Sequence, residues 1–204
     1  MAKRVGKQDE VAYTSSNPPI LTREDIEWLK KSIPGKTYNR LTLLSSVMPN
    51  QKTPQEVYAS FQNSSDVFVI YKSRYSKIVG AYFQEVFKRP DQNHAGNDRS
   101  IYTSASVLGV TDQITIGQNG TAYQSDELLN TAVFMEGASF HFNLDCIDPQ
   151  KLPQIEGIDA GNQDYFRVVA PGYSAKILTG SPTWTKNDQV DLACVQMEFY
   201  HGEL

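Results

Sequence analysis

Apolar and polar positions follow two periods along this chain. From Thr22 to Ile33 the apolar residues Ile26, Leu29 and Ile33 fall at i, i+3 and i+7, one face of a helix. Thr22 stands where an N-cap belongs, and Asp25, three residues on, where the acid of a capping box belongs. Pro34-Gly35 then ends the segment, while Trp28 lies off the apolar stripe and needs a separate contact. Thr53-Pro54-Gln55-Glu56 is the strongest local signal in the chain: a cap, a proline at the first helical position and a glutamate at the third. Val57 and Phe61 supply the buried i, i+4 pair of that second helix.

Elsewhere the period is two or the run is short. Leu41-Thr42-Leu43-Leu44 reads as a strand or a buried helical turn. Val67 to Tyr71 and Ile78 to Phe83 are β-rich and flank Lys72-Ser73-Arg74-Tyr75-Ser76-Lys77, which predicts a hairpin with an exposed basic loop. Residues 88–99 form a long polar loop, and Ser100 to Val110 begins another strand series. Gly117-Gln118-Asn119-Gly120 predicts a turn, because Asn-Gly supplies positive φ at low cost. Ser139 to Leu144 alternates, and residues 147–164 read as irregular. From Val190 to Tyr200 the alternation switches phase after Cys194, which a bulge or a strand buried on both faces would explain. Together these elements predict an α+β domain, mainly antiparallel β, from about residue 20 to 204. Residues 1–19, polar and ending in Asn17-Pro18-Pro19, read as an extended tail.

Composition narrows the function classes. The chain has 204 residues, is 40% hydrophobic and carries a net charge of −4, which fits one globular domain with a core of its own. An acidic balance with only short basic clusters argues against a general nucleic-acid binder. No apolar run approaches the roughly 20 residues of a membrane span. The basic start Met1 to Lys7 is followed by no apolar stretch, so no secretory signal is expected. Cys146 and Cys194 are then expected to be reduced thiols in a cytosolic protein.

Candidate chemistry is sparse. The histidines His94, His141 and His201 lack metal-ligand spacing, and neither a phosphate loop nor a Gly-x-Ser-x-Gly elbow occurs. His141 with Asp145 and Cys146 is the one cluster that suggests nucleophilic chemistry, and a strand histidine beside a buried thiol is its simpler explanation. No cofactor, metal or catalytic residue is expected.

The order of elements resembles the TLDc domain family. The residues that carry the likeness are Ile20-Leu21-Thr22 before a short helix, Leu41 to Ser46, the apolar strand Val67 to Lys72, and its return strand Ile78-Val79-Gly80-Ala81-Tyr82. Ser100 to Thr103, the glycine-led Gly137 to Asp145 and the closing Cys194 to Tyr200 continue it. The chain departs from the family at Leu44-Ser45-Ser46-Val47, which lacks an aromatic and basic pair. It departs again in its single Gly137, and at residues 148–176, which look like an irregular insertion. The resemblance implies a two-sheet β-sandwich flanked by short helices, without an established catalytic centre. It also implies a role in binding the vacuolar proton-pumping ATPase or in oxidative-stress resistance.

The expectation is therefore a non-enzymatic interaction domain, a structural or accessory component of a large cytoplasmic assembly such as a cytoskeletal or ciliary (axonemal) lattice. Its partners would be other proteins, with neither nucleic acid nor membrane insertion. Expected partner contacts are the basic and aromatic residues of the tail and loops: Lys3, Arg4, Lys7, Lys72, Arg74, Tyr75, Lys77, Lys88 and Arg89.

Overall fold

A computed structural model describes residues 15–48, 51–73, 75–86, 100–124, 131–135, 138–142, 166–170, 173–174 and 194–204. Both predicted helices form where their caps stand. Helix α1 spans Arg23–Leu29, and α2 spans Pro54–Phe61. Each opens with a complete capping box: Thr22 with Asp25, and Thr53 with Glu56. Helix α1 stops well before Pro34, because the backbone N–H and the hydroxyl of Ser32 both turn back to the Leu29 carbonyl. Ile33 still reaches the core from the loop that follows, and Trp28 packs against the same core.

The strands are β1 (Arg40–Val47), β2 (Val67–Ser73), β3 (Ile78–Phe83), β4 (Ser100–Gly109) and β5 (Ile114–Gln124). They continue with β6 (Thr131–Met135), β7 (Ala138–Phe142), β8 (Phe166–Ala170), β9 (Tyr173–Ser174) and β10 (Cys194–Glu203). Among the described residues these form one antiparallel sheet in the order β1-β10-β2-β3-β4-β5-β6-β7-β8-β9. The last strand in sequence thus slides between the first two, so Cys194–Glu203 knits the front of the chain together. The chain is mainly β, and among the described residues no helix is long and apolar enough to cross a membrane.

The centre of this sheet is covered on both faces. Register places Leu43 opposite Tyr200 and Phe68 opposite Tyr82, and these residues face a core built with Ile20, Leu21, Leu29, Ile33 and Tyr38. On the other face Phe61 of α2 stacks on Phe199 at 4.6 Å between ring centroids. Double coverage is why Val67 to Tyr71 is apolar at every position and buried throughout. Gly202 lets this packing close: a Cβ there would stand 2.6 Å from the Tyr38 ring.

Several expectations change. Leu41 to Leu44 is strand, not helical turn. The Gly117 to Gly120 stretch is no turn but lies inside β5, where Ile116 to Gly120 faces only Val107 to Ala105 of β4. The extra residues bulge, and glycines suit a bulge as well as a turn. The chain instead reverses at Val110 to Gln113, with Gln113 at φ 53° and its N–H on the Val110 carbonyl. The segment 148–176 is not irregular throughout, since it contains β8 and β9. Residues 147–164 and 88–99 lie outside the described residues.

The phase switch near the C-terminus has both expected causes. The β10–β2 register slips between Cys194 and Gln196, leaving Val195 exposed, and Gln196 to Tyr200 are then buried on both faces. The final residues of the supposed tail belong to the folded body: Asn17 is buried, and the Pro18 carbonyl accepts from Gln196 Nε2 at 2.7 Å.

Candidate functional site: a polar cleft at the edge of the sheet

Strand β1 is an outermost strand, and its ladder to β10 slips at Leu44. A bulge at an edge bends the strand and blunts it against further pairing. Here it also turns Ser46 onto the face of Glu198, its partner across the ladder. Glu198 is fully buried. Its Oε2 accepts from the Tyr200 hydroxyl at 2.6 Å, and its Oε1 from Gln196 Nε2 at 3.2 Å and the Ser46 hydroxyl at 3.3 Å. A buried carboxyl persists only with such donors around it.

Above this network lies a concavity of about 460 Å³. Among the described residues it is lined by Ser15, Ser16 and Asn17, by Leu43 to Ser46 of β1, and by Gln51 and Lys52. A reciprocal amide pair ties the first segment to the last: Asn17 Nδ2 donates to Gln51 Oε1 at 2.7 Å, and Gln51 Nε2 donates back to Asn17 Oδ1 at 2.8 Å. Asn17 Nδ2 also reaches the Ser46 carbonyl at 3.2 Å, capping the strand edge. Lys52 Nζ donates to the Ser45 hydroxyl at 3.2 Å. The amides are engaged with one another, with the Ser46 carbonyl and with the Met48 N–H. The described groups left to meet a ligand are serine hydroxyls, each donor and acceptor, and the Lys52 ammonium, a donor only.

A second polar cluster joins α1's trailing loop to β2 and β3. Asp66, held at φ 50°, accepts on Oδ1 from Lys36 Nζ at 2.5 Å and from the hydroxyls of Tyr38 and Tyr82, each at 2.6 Å. The two hydroxyl oxygens are themselves 2.8 Å apart. Lys36 Nζ also lies 5.9 Å and 5.7 Å from the two ring centroids, within cation–π range. Burial works against the Asp66 charge, but the hydrogen bonds from Lys36, Tyr38 and Tyr82 outweigh it and hold the carboxyl below its usual range. Burial, with the hydrogen bond to Asp66, pushes both tyrosine hydroxyls above theirs. This cluster is a clamp: every group in it is engaged with another.

Of the expected contacts, Lys72, Tyr75 and Lys77 fall among the described residues, and each is partly buried where an exposed loop was expected. Lys77 pairs with Asp112 at 2.5 Å and so braces the β2–β3 hairpin against the β4–β5 turn. Lys72 stands opposite Gln196 across the β10–β2 ladder. Lys3, Arg4, Lys7, Arg74, Lys88 and Arg89 lie outside the described residues, as do His94, Asp145 and Cys146. His141 is on β7, and His201 Nδ1 sits 2.7 Å from the Ser65 carbonyl. Among the described residues no three His, Cys, Asp or Glu side chains gather as a metal site.

The cleft residues were missed from sequence. The available signal was polarity on one face of an apolar strand, Gln196 and Glu198 at alternate positions, and Ser45-Ser46 inside a strand-like run. No family model and no curated protein matches the chain.

Proposed function

We propose that this chain is a protein–protein interaction domain of TLDc-like layout, working as a structural or accessory component of a large cytoplasmic assembly, with a cytoskeletal or axonemal lattice as its host. It works by binding rather than by catalysis. The observation that supports this most is the division of labour among polar groups. Asp66, Glu198, Lys36 and Lys77 are committed to internal bonds, while the cleft at β1 presents donors on a braced floor. In this reading the long sheet folds over itself into a two-layer sandwich, bending where the β4–β5 register slips.

The test is incorporation of a truncated chain. Removing residues 1–14 keeps Asn17 and Pro18 and the bonds they make, so the truncated chain is expected to keep the described fold. Co-sedimentation with the host assembly should weaken, with circular dichroism unchanged. Undiminished incorporation removes the tail as an anchor, and recovery of proton-pump subunits instead would favour the regulatory role that the TLDc resemblance implies.

A further inference from the structure

Resting on the binding reading above, we propose that the β1 cleft is the partner-binding site, and that it takes a single carboxylate carried on an extended peptide of the partner. Each property of the ligand follows from a property of the cleft.

The charge is negative. Among the described residues the lining holds no acidic side chain, and its one ionised group there is the Lys52 ammonium. That ammonium uses one N–H on Ser45 and keeps others to donate. Ser45 accepts from Lys52, so its own O–H proton points elsewhere; Ser15 accepts from the Asn17 N–H at 3.1 Å and is in the same position. These groups all seek an acceptor. Charge-assisted hydrogen bonds to a carboxylate are the strong use of such a set. Glu56, whose charge Lys52 feels, is no competitor in the cleft: it stands outside the lining and bonds the Thr53 N–H at 2.8 Å.

The charge is also single. A phosphate dianion gains most from the bidentate fork of an arginine, which the described lining lacks. One lysine with hydroxyl donors matches a monoanion.

The carrier is extended and partly apolar. Leu44, half-buried on the floor, supplies an apolar surface against which the methylenes of a glutamate, or of the residue beside it, can pack. Strand β1 is outermost in its sheet, so an extended peptide can reach the cleft along that side without adding to the ladder, which the slip at Leu44 blunts.

The experiment is an amide chemical-shift titration of the full chain with acetyl-Leu-Glu-Leu-amide, its Gln counterpart, and inorganic phosphate. The Glu peptide should give saturable shifts at Ser16, Leu44, Ser45 and Lys52, with at least tenfold weaker binding by the Gln peptide and by phosphate. Lys52→Gln, at an exposed position that leaves the fold alone, should weaken the Glu peptide about tenfold, and Ser45→Ala should weaken it less. Absence of saturable shifts at 10 mM peptide, equal binding of the Gln peptide, or tighter binding of phosphate overturns the proposal. Incorporation of Lys52→Gln into the host assembly separates the two claims. A chain that incorporates normally yet binds no Glu peptide refutes the cleft and spares the interaction role. A wild-type chain that binds the peptide but joins no assembly does the reverse.

Discussion

At the scale of single residues, the clamp around Asp66 is the most consequential feature that no local pattern announces. Its partners lie 30, 28 and 16 positions away in sequence, at Lys36, Tyr38 and Tyr82. Nothing in the neighbourhood of Asp66 singles it out, except that Asp tolerates the left-handed backbone it adopts. Asp66→Asn keeps that tolerance and removes the charge. It should cost about 1.5–3 kcal/mol of unfolding free energy, the usual worth of hydrogen bonds to a charged group, as read by denaturant melts. The pH dependence has a definite sign. The folded carboxyl titrates below its unfolded value, so its contribution is complete above about pH 4 and fades as the pH falls further. In Asp66→Asn that acid-limb loss should be missing. The tyrosines behave oppositely: their folded values lie above the ordinary one near 10, so their contribution is complete below about pH 10 and is lost as the pH rises beyond it. Absorbance titration near 295 nm should find Tyr38 and Tyr82 still protonated in the folded chain when exposed tyrosines have ionised; normal titration of both phenols would contradict the clamp.

At the scale of elements, legibility followed sequence distance. Both capping boxes were readable because cap and acid are three residues apart, and both form. Thr53→Ala should cost about 1 kcal/mol, with α2 still helical because Val57 and Phe61 remain buried; loss of the whole transition would mean that the cap nucleates more than its helix. The β10 phase switch was equally readable, since a bulge leaves its mark within two residues. The stretch Gly117 to Gly120 was misread because Asn-Gly encodes a permissive backbone, not a reversal; the ladder to β4 decided that this freedom became a bulge. The first helix was read too long because Ile33 keeps the helical spacing while reaching the core from a loop. The cleft was not legible at all. Gln196 meets Ser46 and Pro18 across 150 and 178 positions, a proximity that exists only once β10 has inserted beside β1.

At the scale of the whole molecule, the sheet order makes the C-terminal strand the keystone of the N-terminal half. Strand β10 pairs with β1 on one side and β2 on the other, and carries Phe199 under α2 and Tyr200 over the opposite core. It also brings Gln196 and Glu198 to Ser46 and Pro18, whose hydrogen bonds brace the edge of the sheet beside the cleft. The proposed interaction role places this surface inside a larger particle. Sedimentation of this chain in native cell extract at its natural concentration is the sharpest test. We predict a particle many times the 22.9 kDa of the chain. Migration of the whole pool at 22.9 kDa would rule the role out.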